Sequence, residues 1–321
     1  MERARSFEPT ASLWQLLDLT DEELERTDLV AMNIIVAKGI PSLKELDIEH
    51  YCRIVDEWTE QFRNDLLGME RRFHATPQNW KNDIRFFRIG MLQGFLGHII
   101  GIKYVEKHKD AKTIYYTKPS ELFINGIVDC KEGTCGNMAT LHVAMSRRMG
   151  WPVSIACAQS HYISRFDDGE VIYNIEATNT RAGTFDSEPD SEYIERFNLT
   201  KKAIACGSDL RRLTAREMLG TFLVSRARHF QDIGDWENSD LSYSLSRAVF
   251  PKYRKGYIAA MVHTMRRGEQ LFEADEVGHP KSLFPLYFGP KHHSSAYAAD
   301  YAFWSQPVHG FTEQSMKAPT H

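Results

Sequence analysis

The sequence predicts an α+β fold, because the apolar residues change their period twice along the chain. Residues 10–105 and 219–272 repeat apolar side chains every three or four positions, as amphipathic helices do, whereas 151–178 alternates as strands do. The 321 residues are 42% hydrophobic and 26% charged, enough for a sizeable core in a soluble globular protein. A net charge of −4, with no basic run as long as five residues, gives no pull toward nucleic acid or acidic lipid, and neither is expected as a partner. Residues 1–28 carry charges throughout and lack a secretory pattern, and the longest apolar stretch, 89–102, is too short for a membrane span and contains Gln93 and His98. A cytoplasmic location is expected.

Taken in order, 28–40, 47–70 and 78–98 read as helices, each opening after a polar or acidic cap. They make up a helical N-terminal region, 1–105. A polar loop over 106–119 leads into a short helix at about 120–125. The next helix begins at Cys135 and stops at Gly150, since Arg147 and Arg148 suit its C-terminal dipole and glycine supplies the left-handed cap. Residues 151–158, 161–167 and 171–178 are the strands, the last two flanking DDGE. A two-residue Asp168–Gly169 turn would pair Asp167 with Glu170 and, counting outward, His161 with Glu176. That register puts His161, Ile163, Arg165, Ile172, Asn174 and Glu176 on one face, and Tyr162, Phe166, Val171, Tyr173 and Ile175 on the other. Residues 180–210 read as loop with short helices, 211–272 as helices, and 273–321 as an irregular arm.

Five cysteines, Cys52, Cys130, Cys135, Cys157 and Cys206, are an odd number in irregular spacing, which suits reduced thiols rather than a disulfide framework. Cys130 and Cys135 do not make a zinc-type pair, and no second pair answers them. Cys157 lies in an apolar strand and reads as core, while Cys52 and Cys206 have no matching neighbours. Cys135 differs because a helix start favours the thiolate, the form that attacks a carbonyl. An imidazole that takes the proton and an acid that orients the imidazole complete a nucleophilic set, and His161 and Glu176 fit those roles. Backbone N–H groups at the helix start would receive the developing oxyanion.

The stretch GTCGNMATLHVAMSRRMGWPVSIACAQSHYISRFDDGEVIYNIEATN resembles the core of the transglutaminase-like superfamily, most strongly over 118–180. There a G-x-C helix, a GxP strand, a histidine strand and an acid-plus-threonine strand recur in that order. The resemblance implies a papain-like architecture over 106–210, with Cys135 as nucleophile, His161 as base and Glu176 as orienting acid. Two positions depart from the usual pattern: the acid is Glu176 where Asp is usual, and Tyr162 follows the histidine where Trp or Phe is common. Gln159 is a candidate oxyanion donor, as glutamine is in papain-like enzymes, and Asn174 a candidate for orienting His161. No cofactor is implied, and no acidic loop has calcium-ligand spacing. His142, two turns after Cys135, is expected to line the flank of the site, and Trp151 to belong to the core. His279, His292, His293 and His309 lack ligand spacing and read as solvated.

Residues 230–251 match one tetratricopeptide-type unit, with Ala227, Gly234, Trp236 and Pro251 in register and Ser239 and Ser246 in place of the usual alanines. Such a unit is either a helical hairpin packed on the core or a docking face for a protein partner. The expected function is a cysteine-dependent hydrolase or acyltransferase acting on a peptide, protein or small amide. The alternative is a catalytically silent scaffold for protein–protein interaction.

Overall fold

A computed structural model of the chain describes residues 11–109, 111, 114–159, 161–179 and 185–253, all within one compact unit. The arm expected over 273–321, the end of the helical segment beyond Tyr253 and the histidines from His279 onward lie outside the described residues. The elements in order are α1 (Leu13–Leu17), α2 (Asp21–Glu25), α3 (Leu29–Lys38), α4 (Ile48–Ala75), α5 (Ile84–Gly94), β1 (Lys103–Tyr104), α6 (Ile124–Cys130), β2 (Glu132–Gly133), α7 (Cys135–Arg148), β3 (Val153–Ala158), β4 (His161–Asp167), β5 (Ile172–Ile175), α8 (Asp190–Arg196), α9 (Lys201–Ala205), α10 (Ala215–Asp232) and α11 (Trp236–Val249). Helix and sheet are both present, as the two changes of period predict.

The sequence dictates most of these boundaries through caps. Asp28 accepts from the N–H groups of Val30 and Ala31 to start α3, and Asp47 does the same for α4 through Glu49 and His50. The expected helix over 78–98 begins only at Ile84, because Pro77–Trp80 forms a 3-10 turn and Asp83 caps the helix proper. The short helix expected at 120–125 falls later, at α6, after a 3-10 turn at Pro119–Glu121.

Helix α3 is apolar on every side, and Leu29 through Ala37 are buried. Its one buried amide, Asn33, accepts from the Ile124 N–H at 2.9 Å and so fixes the start of α6. Helix α4 is amphipathic and buries Ile48, Tyr51, Val55, Thr59, Phe62, Leu66 and Phe73 along one face. In the two-stranded pair, β1 runs parallel to β2 and Tyr104 lies opposite Gly133.

The larger sheet is antiparallel in the order β3-β4-β5. Ser164 donates to the Ala139 carbonyl of α7, and Val153, Ile155, Cys157, Tyr162, Phe166 and Ile175 join the main core with that helix. On the opposite face, Ala156, Ala158 and Ile163 pack with Tyr193 of α8 and with Leu199 and Leu210, which lie before and after α9. The central strand is thus covered on both sides, which explains its run of buried residues.

The β4–β5 register differs from the expectation. Asp167 pairs with Ile172, Arg165 with Asn174 and Ser164 with Ile175, so the connection has four residues rather than two. Asp168 captures the N–H groups of Glu170 and Val171, both at 3.0 Å, and Arg85 binds the carboxylates of Asp168 and Glu170. These bonds make an open Asx-type loop more favourable than a tight primed turn. The shift is by two residues, so every side chain keeps the expected face.

Helices α10 and α11 form the expected hairpin, and it is packed on the core. Ser239 and Ser246 are fully buried and donate to the carbonyls of Ala227 and Gly220 on α10, at 2.9 and 2.8 Å. Serine suits both positions: it is small enough for close approach, and its hydroxyl finds a partner. Among the described residues no helix is long and apolar enough to cross a membrane.

Gly126 is the tightest joint in this frame. A Cβ added there would sit 1.8 Å from the Ser120 carbonyl oxygen, a backbone atom with nowhere to go. Gly126→Ala is expected to cost about 3 kcal/mol, at the upper end of ordinary overpacking, read as a lowered urea midpoint at unchanged slope.

Candidate active site

Cys135 is the first residue of α7, after an N-cap at Thr134. The cap is braced by Asn137, which is fully buried. Its Oδ1 accepts from the Thr134 N–H at 2.7 Å, and its Nδ2 donates to the Phe123 carbonyl at 3.0 Å. Thr134 Oγ1 in turn donates to the Glu121 carbonyl at 2.9 Å. The preceding residue, Gly133, leaves no room for a side chain: an added Cβ would meet Asn137 Oδ1 at 2.7 Å. The thiol is thereby delivered to a fixed position.

Gly136 lies near the Tyr162 ring and Ala139 against Ser164, so the N-terminus of α7 points to the His161 end of β4. The Cys135 thiol is within hydrogen-bonding reach of the His161 ring. On the other edge, His161 Nε2 lies 2.6 Å from Glu176 Oε2. A carboxylate only accepts, so Nε2 carries a proton and Nδ1 is left for the sulfur. Thr178 Oγ1 donates to Glu176 Oε1 at 2.6 Å, and Gln93 Nε2 holds the backbone carbonyls of Glu176 and Ala177 at 3.2 and 3.3 Å. Each oxygen of the carboxylate has a defined partner. The three predicted residues Cys135, His161 and Glu176 come together, although Glu176 reaches the ring diagonally, one residue past the end of β5, rather than from the directly opposed position.

Burial works against charge on the His161 ring, but the hydrogen bonds and charges of Cys135 and Glu176 outweigh it and push its pKa up to about 10. Burial likewise opposes ionisation of Glu176, yet the His161 and Thr178 hydrogen bonds hold its carboxyl below the usual range. The arrangement favours a thiolate–imidazolium–carboxylate line. The phenols of Tyr104 and Tyr116 lie within reach of its charge. Burial, then the charges of Cys135 and Glu176, pushes the Tyr104 phenol up to about 12; burial and Cys135 raise that of Tyr116 as well.

Asn174 and His142 are held elsewhere. Asn174 is not available to orient His161: its Oδ1 accepts from Arg165 at 2.7 Å, and its Nδ2 donates to Asp190 and to the Glu188 carbonyl. Gln159 sits between β3 and β4 in a left-handed conformation, and its backbone N–H donates to Asp209 at 2.8 Å. His142 is fully buried inside α7, where burial lowers its pKa to about 4 and keeps it neutral. Among the described residues, no group of three or more His, Cys, Asp or Glu side chains is placed to hold a metal ion.

Sequence reasoning passed over Asn137, Tyr104, Tyr116 and Gln93. The TCGN spacing carries a usable signal for Asn137, because it is a capping box with Asn in place of the usual Glu or Gln. The two tyrosines and Gln93 are distant in the chain and carry none. Comparison with family models, with curated proteins and with solved structures gave no match to this chain.

Removing the Thr178 hydroxyl with Thr178→Val is expected to let the Glu176 carboxyl pKa rise and to slow Cys135 alkylation several-fold, measured by mass spectrometry of labelled peptides. The linkage has a defined sign. The raised His161 group adds stability that is full below its ordinary pKa of 6.5 and lost as pH rises toward about 10. The depressed Glu176 group adds stability present above its ordinary 4.5 and lost on acidification through its lower folded value. The urea-midpoint difference between the native protein and His161→Ala is therefore expected to be largest between about pH 4.5 and 6.5 and to shrink toward pH 10.

Proposed function

We propose that the chain is a cysteine-dependent hydrolase or acyltransferase with a papain-like core of the transglutaminase-like kind, acting on a carboxamide or peptide bond. The observation that carries this reading is the continuous line from a thiol at a helix start, through His161, to a carboxylate held by Thr178. The Cys135 thiolate attacks the carbonyl carbon, and the tetrahedral oxyanion is received by N–H groups in the first turn of α7. The C–N bond then breaks, and the amine leaves with the proton of the His161 imidazolium, giving a thioester. Water or a second amine attacks the thioester while His161 takes its proton; the C–S bond breaks and the thiolate returns. Glu176 keeps the ring in the tautomer that serves both steps. Hydrolysis and transfer differ only in the second nucleophile, and the chain's own residues need no cofactor for either.

The remaining thiols offer an internal comparison. Burial, reinforced by Asp28, raises the Cys52 pKa far above the usual thiol range; burial raises that of Cys206, and Cys157 is fully buried. Cys130 is exposed and serves as the reference thiol. Iodoacetamide at pH 6 is expected to label Cys135 about tenfold faster than Cys130, an advantage that disappears in His161→Ala. Equal, slow labelling of the accessible thiols would instead favour the silent-scaffold reading. With p-nitrophenyl acetate, a burst of nitrophenol and an acetyl group located on Cys135, both missing in Cys135→Ala, are expected. Added hydroxylamine then separates transfer from hydrolysis.

A further inference from the structure

His161 is gripped at two edges by Cys135 and Glu176, and one face of its ring is covered by a residue outside the triad. Phe197 stacks on the imidazole with centroids 5.3 Å apart and planes at 16°, and Tyr193 stacks on Phe197 at 6.3 Å and 14°. Tyr193 and Phe197 are four residues apart, so they share one side of α8. Phe197 is the residue at which that helix ends.

The other end of α8 is anchored to the same strand. Asp190, its first residue, receives two bonds from Arg165, Nη1 to Oδ1 at 2.6 Å and Nη2 to Oδ2 at 3.1 Å. Asn174 closes this cluster: its Oδ1 accepts from Arg165 and its Nδ2 donates to Asp190 Oδ1 at 2.8 Å. Arg165 is only 4% exposed, so losing its carboxylate would leave a buried charge uncompensated. From His161 to Arg165 the strand covers roughly 13 Å at its usual rise, and from Asp190 to Phe197 the helix covers roughly 10 Å. The two spans match closely enough for one short helix to bridge both anchors, with Ile163 and Tyr193 packed between them.

We propose that α8 is a positioning strut for His161: the Asp190–Arg165–Asn174 clamp fixes one end, and the Phe197 ring at the other sets the plane of the imidazole. With the plane fixed, Nδ1 and Nε2 meet sulfur and carboxylate at the same time. The stack also shields the short Nε2–Oε2 bond from water, and the aromatic face favours a cationic ring. Phe197 and Asp190 are positioning residues, since they act through His161. The proposal rests on the nucleophilic reading above only for its consequence in rate.

The test uses the full chain, with two readouts: the alkylation rate of Cys135 at pH 6 and the His161 imidazole followed by NMR through its Nε2–H resonance and its titration. Phe197→Leu, which keeps bulk and loses the aromatic face, is expected to slow labelling by about tenfold or more, as small misplacements of a reacting group do. The His161 midpoint is expected to fall from about 10 toward its ordinary 6.5. Phe197→Tyr is expected to restore both readouts, a rescue that a purely structural role in the core would not give in the titration. Asp190→Asn, which removes no ring but loosens the clamp, is expected to move both in the same direction. A Phe197→Leu protein whose His161 resonance, titration and labelling rate match those of the native chain would overturn the strut. A native chain in which Cys135 labels no faster than Cys130 would overturn the nucleophilic reading instead, while the His161 resonance still decides whether α8 holds the ring.

Discussion

Asn137 holds the joint on which the candidate site depends. Its carbonyl oxygen takes the N–H of Thr134 and its amide reaches the Phe123 carbonyl, so the strand entering α7, the helix itself and the start of α6 are tied by one buried side chain. Thr134 passes the constraint on to Glu121, whose carboxylate is held by Lys107 and by His108 at 2.7 Å. The thiol at Cys135 therefore sits at the end of a helix that cannot shift without breaking several buried hydrogen bonds, each costly to leave unmade. A nucleophile has to be held in this way if it is to meet a base and an incoming carbonyl in one geometry.

Electrostatics then separates this thiol from the others. Cys52 is buried beside Asp28, an environment that keeps it protonated. Cys135 instead faces a ring that two neighbours favour as a cation, at the positive end of a fourteen-residue helix. The same ring is stabilised from the side of the sheet opposite α7, where Phe197 lies against it. The two faces of the three-stranded sheet thus have separate tasks. The α7 face is apolar packing that carries the Cys135 thiol, and the α8 face carries the polar clamp and the aromatic stack.

Much of this was legible residue by residue. Asp28 and Asp47 announce helix starts because a short acidic side chain can satisfy the first free N–H groups locally, whereas the start at Asp83 was expected several residues too early. The alternation in 161–167 and 171–178 assigned His161 and Glu176 to a common face, and that assignment survived a change of register because the period of a strand is two. The register itself was not legible. It depends on Arg85, more than eighty residues before the turn, which binds Asp168 and Glu170 and holds the loop open. Asn174 was placed on the correct face but given the wrong partner, since the demands of Arg165 and Asp190 appear only when α8 is docked.

By itself, then, the sequence determined the order of helix, strand and helix, the position of Cys135 at a helix start, and the shared face of His161 and Glu176, because caps and periodicity act over a few residues. Only the tertiary structure decided which edge of the histidine meets which partner, that Thr178 and Gln93 hold the acid, that Tyr104 and Tyr116 lie within reach of the thiol's charge, and that Phe197 covers the ring. Those contacts join segments far apart in the chain, and what selects them is the packing of α7 and α8 on opposite faces of one small sheet, which no local pattern encodes.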